Sequence, residues 1–236
     1  MGMINSNDFT RYIRNTNSFT REEVELVRTK SACIIGCGGL GGYVAMSLAR
    51  FGIGKLGLVD GDAFELSNLN RQLFATEANL GKSKCLEAKL ALSTINSEVE
   101  TVAYVERLTG ENYERLLCGY DVVVDCLDNP ESRITLEKGC EALGVPFIHG
   151  AIGGFYGQVC CVFPGDSTMS VLYAGRKSGA GSRANEAGNP PFTPQLVAAI
   201  QCAEVLKLLT GKGELLRKKL LLIDLLRCTM QTIDFA

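Results

Sequence analysis

The stretch that decides the fold is Ser31-Ala32-Cys33-Ile34-Ile35-Gly36-Cys37-Gly38-Gly39-Leu40-Gly41. Its first five residues are compact and largely apolar and stop at glycine, the pattern of a strand buried in a parallel sheet. From residue 40 to 51 apolar side chains return at helical spacing, and 55–60 reads as a second strand ending on Asp60. A strand, Gly-x-Gly-x-x-Gly and a helix make a phosphate-binding unit. The glycines let the backbone turn tightly beside a phosphate, and the helix start offers unpaired N–H groups and a positive dipole end. Gly36, Gly38, Gly39 and Gly41 are therefore candidate nucleotide-binding positions. Asp60 follows Gly36 by about 24 residues, near the ~20 at which an acid grips a ribose hydroxyl.

Working outward, Thr20 and Glu23 form a capping-box pattern that opens a short helix to about Arg28. Downstream, 81–96 reads as an amphipathic helix with Leu86, Leu90 and Ile95 on or near one face, and 99–105 as a strand. A helix at 111–117, a strand at 121–126, a helix at 130–143 and a strand at 146–150 follow. This alternation predicts an α/β, Rossmann-like, mostly parallel sheet with helices on both faces. After Gly150 the pattern changes. Residues 155–163 form a strand with no helix behind it, so antiparallel pairing is expected. Residues 174–191 are rich in Gly, Ser, Asn and Arg, the composition of a functional or mobile loop. A helix at 194–209, with Thr193 as cap and Pro194 at its first position, and a hairpin of 220–224 with 229–235 extend the sheet. The chain is expected to form one domain: an arm and helix (1–30), a nucleotide-binding core (31–150), the loop (174–191), and a final helix and hairpin (192–236).

Composition narrows the function. The chain has 236 residues, 46% hydrophobic and 21% charged, enough to bury a large core. A net charge of −2 gives no general attraction to nucleic acid or an anionic membrane, so neither is an expected partner. Residues 1–30 mix arginines and acids, unlike a signal peptide, and no run reaches the roughly 18 apolar residues that span a bilayer. A cytoplasmic location is expected. None of the ten cysteines shows Cys-x-x-Cys spacing, and Cys33, Cys126 and Cys160 sit in apolar runs, so the set reads as reduced thiols without zinc.

The glycine loop and Asp60 alone point first to an NAD-binding dehydrogenase, with an unliganded glycine turn as the bland alternative. The surrounding charges change the balance. ATP carries more charge than a dinucleotide and usually Mg²⁺, so cleaving it calls for cations on the phosphates and an acid for the metal. Asn68, Arg71, Lys82 and Lys84 follow Asp60, and Asp128-Asn129 follows the fourth strand. Strand ends of an open parallel sheet face the ligand crevice, so Asp60 and Asp128 should converge. Singly, Arg71 and Lys84 could be solvated charges and Asp128 a helix cap before Pro130. As a set they favour ATP.

Together with Val59-Asp60-Gly61-Asp62, Leu66-Ser67-Asn68-Leu69-Asn70-Arg71-Gln72, Gly81-Lys82-Ser83-Lys84 and Asp125-Cys126-Leu127-Asp128-Asn129, the loop resembles the ubiquitin-activating-enzyme-like superfamily. Within it the chain is similar to the molybdopterin-synthase and thiamine-pathway adenylyltransferases, the HesA/MoeB/ThiF family, from Arg11 to the last hairpin. The resemblance implies ATP-dependent adenylation of the C-terminal glycine of a small ubiquitin-like sulfur-carrier protein ending in Gly-Gly, with release of pyrophosphate. It assigns the ribose to Asp60, the phosphates to Asn68, Arg71 and Lys84, and Mg²⁺ with the reacting phosphate to Asp128. Arg11-Tyr12-Ile13-Arg14-Asn15 resembles the family segment whose second arginine reaches the neighbouring subunit's ATP, so Arg14 implies a homodimer. The substrate tail would run beneath 174–191.

The chain also departs from the family. Many relatives bind zinc through two Cys-x-x-Cys pairs; here 169–174 has no cysteine and the second region offers only Cys228. The crossing segment has no cysteine either, and Cys202 falls on the following helix, where packing is the expected role over thioester chemistry. His149 is expected to make a structural hydrogen bond. A nicotinamide-dependent oxidoreductase, a scaffold that keeps the fold without activity, and a related ATP-dependent dehydratase acting on a modified tRNA base are the competing readings.

Overall fold

The computed structural model describes residues 9–174 and 188–235. The chain enters through a 3-10 turn, Phe9–Asn15, and helix α1 (Arg21–Arg28). The expected capping box opens α1: the Glu23 N–H donates to the Thr20 hydroxyl at 3.2 Å, and the Thr20 N–H to the Glu23 carboxylate at 2.7 Å. Strand β1 (Ser31–Ile35) is buried at every position. Helix α2 (Gly39–Phe51), β2 (Lys55–Val59), α3 (Lys84–Ile95), β3 (Glu100–Tyr104), α4 (Tyr113–Leu117), β4 (Val122–Asp125), α5 (Pro130–Leu143) and β5 (Phe147–Gly153) follow in the expected alternation. Beyond them lie β6 (Tyr156–Val162), α6 (Thr168–Leu172), α7 (Phe192–Thr210), β7 (Lys219–Asp224) and β8 (Thr229–Asp234).

The eight strands form one sheet in the order β3-β2-β1-β4-β5-β6-β7-β8. The pairs from β3 to β5 are parallel, and those from β5 to β8 antiparallel, as the sequence indicated. Alternation along β1 divides the core: Ala32 and Ile34 pack beneath α1, α2, α3 and α7, while Cys33 and Ile35 join α4, α5 and α6 on the other face. Because β2 and β4 flank β1 on opposite sides, the strand order reverses there. The carboxyl ends of β1, β2 and β4 open onto a crevice, the usual ligand position in such a sheet.

Three local expectations are corrected. Helix α3 begins at Lys84, since Gly81 takes φ +81° and donates its N–H to the Phe64 carbonyl. Its inward face is Cys85, Ala88 and Leu92, whereas Leu86 and Leu90 are exposed. Short side chains let the helix lie close to the sheet, and Cys85 Sγ reaches the carbonyls of Asp60 and Tyr104. Helix α7 begins at Phe192, not after Thr193; the Thr193 hydroxyl donates to the Gly154 carbonyl at 2.6 Å, tying the first turn to the β5–β6 connection. Helix α7 is also long and apolar enough to cross a membrane by length and composition, although polar residues interrupt it. Here it is a core helix packed on α2, β5 and β6, with Gln201 and Glu204 buried and hydrogen-bonded. Most of the expected loop at 174–191 lies outside the described residues.

Candidate active site

The loop between β1 and α2 is built as its glycines suggested. Gly36 takes φ +95° and donates its N–H to the Val59 carbonyl at 2.8 Å. A Cβ on Gly41 would fall 1.8 Å from the Gly36 carbonyl oxygen, so only glycine lets the helix start pass this close to the loop. Gly38 caps α2 without a side-chain hydrogen bond, leaving first-turn N–H groups for a bound anion. Asp60 holds the loop shut: one carboxylate oxygen accepts from the Cys37 N–H at 2.7 Å and the other from the Asp62 N–H at 2.8 Å. Burial pushes the Asp60 carboxyl above its ordinary value, against the pull of these N–H groups.

Next to this loop lies a cleft of about 550 Å³, lined by Asp62, Glu65, Asn68, Arg71, Lys84, Arg107 and Asp128 among others. Sequence reasoning had nominated Asn68, Arg71, Lys84 and Asp128, and the fold brings these together. Asn68 is buried and its side-chain oxygen accepts from the Glu65 N–H at 3.0 Å, fixing the 3-10 turn Leu66–Asn68. Arg71 donates to the Ser67 carbonyl and the Asn70 side chain, both at 2.9 Å. Lys84, at the start of α3, is buried and its Nζ lies 3.0 Å from Asp62. Asp128 is exposed and accepts only from the Asn129 side chain at 3.2 Å among the described residues. The cap of α5 is Asn129, through the Ser132 N–H at 2.8 Å. Asp128 is thus not spent on capping.

Asp60 and the loop glycines border the cleft without lining it. Arg14 is remote from it. Its 3-10 turn is pinned at the opposite end of the sheet, with Tyr12 donating to Glu98 at 3.0 Å and the Asn15 side chain to the Phe51 carbonyl at 3.4 Å. Two residues escaped the sequence reading. Arg107 follows β3, so the strand-end rule that found Asp128 could have found it. Asp62 sits two residues past Asp60 and pairs with Lys84 at 3.0 Å and Arg107 at 2.7 Å. Arg107 holds the Asp62 carboxyl below the ordinary carboxylate range, with help from Lys84. Gln72 also lines the cleft; it is buried and its Oε1 has no partner among the described residues.

Beneath the Asp128 turn lies a buried polar cluster. His149, inside β5, shares a 2.7 Å hydrogen bond with Asp125 through Nδ1, and Gln158 Nε2 lies 2.9 Å from its Nε2. The amide donates to Nε2, so the imidazole is neutral with its proton on Nδ1. Burial lowers the His149 pKa accordingly. Arg133 pairs with Asp125 at 3.5 Å and donates to the Leu127 carbonyl and the Tyr173 hydroxyl. The Leu127 N–H returns to Asp125 at 2.9 Å. This cluster therefore shapes the turn that presents Asp128. All ten cysteines are unpaired. Burial pushes Cys202 up to about 12, which suits packing, not a thiolate.

Residues 11–236 match the model of the ThiF family. The chain belongs to that family. It is 34% identical over 227 residues to the Arabidopsis thaliana adenylyltransferase and sulfurtransferase MOCS3, covering 92% of this chain and 47% of that protein. It is equally 34% identical over 228 residues to a Thermus thermophilus sulfur carrier protein adenylyltransferase, covering 90% and 81% respectively. The chain spans about half the length of the first curated relatives it matches. Among solved structures, E. coli MccB with ATP superposes with a TM-score of 0.81 at 22% identity, over 98% of this chain and 72% of that one. PaaA superposes with a TM-score of 0.80 at 22% identity, over 100% and 76%. These structures share the fold.

Proposed function

We propose that the chain is an adenylyltransferase that activates the C-terminal glycine carboxylate of a small ubiquitin-like, sulfur-carrier protein with ATP, releasing pyrophosphate. The observation that carries this reading is the cleft beside the glycine loop, where Arg71, Lys84 and Arg107 surround a space bordered by Asp128. A dinucleotide needs little beyond a helix terminus for its pyrophosphate; a triphosphate chain uses all three cations. The names of the Arabidopsis and Thermus relatives agree with this chemistry.

In this reading a carboxylate oxygen of the carrier's last glycine forms a bond to the α-phosphorus. The bridging bond to the β-phosphate breaks, and its electron pair leaves with pyrophosphate. Charge repulsion between carboxylate and phosphates opposes the approach. Asn68, Arg71 and Lys84 orient and neutralise the phosphates, the α2 N-terminus adds its dipole, and Asp60 serves the ribose. Positioning and preorganised charge supply most of the rate. Among the described residues no group of three or more His, Cys, Asp or Glu is placed to hold a metal ion alone. Mg²⁺ arriving with a nucleotide needs only one or two carboxylates, and exposed Asp128 fits that role; the ion, when bound, offsets phosphate charge.

Since Arg14 stands at the far end of its own sheet, we assign it to the site of a second copy in a homodimer. We further infer a cytoplasmic reaction; ten cysteines with no Cys-x-x-Cys spacing support a reducing compartment. The test is ATP–pyrophosphate exchange with candidate ubiquitin-like proteins ending in Gly-Gly. Exchange that depends on the terminal glycine and disappears in Asp128→Ala supports the reading. No exchange with any such carrier, together with tight NADH binding, overturns it.

A further inference from the structure

The cleft contains a cation pair already occupied by an acid of this chain. Asp62 sits between Lys84 and Arg107, at 3.0 and 2.7 Å. Its main chain is held independently of its carboxylate, because its N–H donates to Asp60 at 2.8 Å and its carbonyl accepts from the Lys84 N–H at 3.0 Å. The carboxylate side chain is 42% exposed to the cleft, whereas that of Lys84 is only 10% exposed. A phosphate chain entering here meets Lys84 and Arg107 already paired and must take them from Asp62.

We infer that Asp62 is a resident counter-anion, a positioning residue that aims Lys84 and Arg107 at the phosphates and competes with pyrophosphate for them, so that the product leaves. This rests on the adenylation reading and deepens it. Two features support competition over simple scaffolding, and a third fixes the position of the residue. The backbone bonds of residue 62 already fix the start of α3, so the carboxylate is not needed for that. Lys84 cannot swing to solvent, being buried; its charge faces either Asp62 or the cleft. The contacts from Cys37 through Asp60 to the Asp62 N–H also tie the backbone of residue 62 to the phosphate-binding loop, which sets where its carboxylate starts.

Replacing a scaffold residue weakens binding, whereas removing a competing charge tightens it. The full chain, as wild type, Asp62→Asn, Arg107→Gln and the double variant, is titrated calorimetrically with inorganic pyrophosphate and with ATP. Each variant's folding is checked by thermal unfolding. One unit charge a few ångströms away, partly screened, is worth roughly tenfold in affinity. Asp62→Asn is expected to bind pyrophosphate about tenfold tighter, and its exchange reaction saturates with pyrophosphate at correspondingly lower concentration. Arg107→Gln binds more weakly, and the double variant, with net cleft charge restored, returns close to wild type. Unchanged or weaker pyrophosphate binding by folded Asp62→Asn overturns the inference alone, as does a double variant weaker than Arg107→Gln. Wild-type chain that binds neither ATP nor pyrophosphate overturns the adenylation reading and this inference with it.

Discussion

The Gly41→Ala substitution tests the loop geometry directly. The new methyl carbon would stand 1.8 Å from the Gly36 carbonyl oxygen, 2.9 Å from its carbon and 3.2 Å from Ile34 Cγ2. A carbon–oxygen contact relaxes at roughly 3.3 Å, so strand end and helix start must separate by about 1.5 Å. The obstructing atoms are backbone, and no rotamer relieves them. Overpacking of this kind costs about 3 kcal/mol, which for a chain of this size lowers Tm by roughly 6–12 °C. A displacement near 1 Å at the phosphate-binding loop also costs about 100-fold in rate. The same loop supplies the controls. A Cβ on Gly38 would meet Gln72 Nε2 at 3.4 Å, and one on Gly39 would meet Pro194 at 3.6 Å, both ordinary contacts. Gly38→Ala and Gly39→Ala should therefore unfold within about 2 °C of wild type. Thermal unfolding followed by circular dichroism, with ATP binding by titration, reads all three variants. Wild-type Tm and ATP affinity in Gly41→Ala would refute the reasoning.

Three further outcomes are expected. Cys202→Ala should keep its exchange activity within about twofold, because the buried thiol packs against α2 and its pKa lies near 12; a hydroxylamine-sensitive adduct at Cys202 would contradict this. His149 is neutral when folded and its pKa is lowered by burial, so below about 6.5 the unfolded chain binds the extra proton. Stability contributed by His149 is complete above that pH and falls as pH drops toward the folded value; His149→Gln should flatten this limb in chemical denaturation at stepped pH, and an unchanged limb would assign it elsewhere. Arg14→Ala mixed with Asp128→Ala should regain roughly a quarter of wild-type exchange if sites are shared between subunits, since random pairing leaves one intact site in half the dimers; no recovery in a mixed dimer would place Arg14 outside the neighbour's site.

The nucleotide-binding half was legible because each element there combines a pattern with a stop signal. Gly36 and Gly52 end β1 and α2, Asn129-Pro130 starts α5, and Gly144 ends it with φ +69°. Helix α3 was harder. Leu86 and Leu90 fit the helical period as well as Cys85, Ala88 and Leu92 do, and size favoured the leucines. The choice was made by a neighbour the pattern does not contain, the sheet against which Cys85, Ala88 and Leu92 pack. Asp128 was readable as a strand-end acid and Arg107 was open to the same rule; its pairing with Asp62, 45 residues away in the chain, was not. The Asp125–His149–Gln158 contacts are likewise products of strand pairing, which sets His149 opposite Asp125 on β4 and Cys160 on β6.

The strand pairs of the sheet differ widely in the chain length each contact must close. The β5–β6 hairpin joins Gly153 to Tyr156 and the β7–β8 hairpin joins Asp224 to Thr229, loops that close quickly and lose little entropy. Pairing β1 with β4 instead brings Ala32 to Val122, across most of the nucleotide-binding half. The crevice therefore opens beside the longest closure in the sheet, where topology slows folding. A ligand bound only by the folded crevice shifts the equilibrium through that closure. Nucleotide, on this view, acts as a latch on the slowest-closing strand pair before it acts as a reactant.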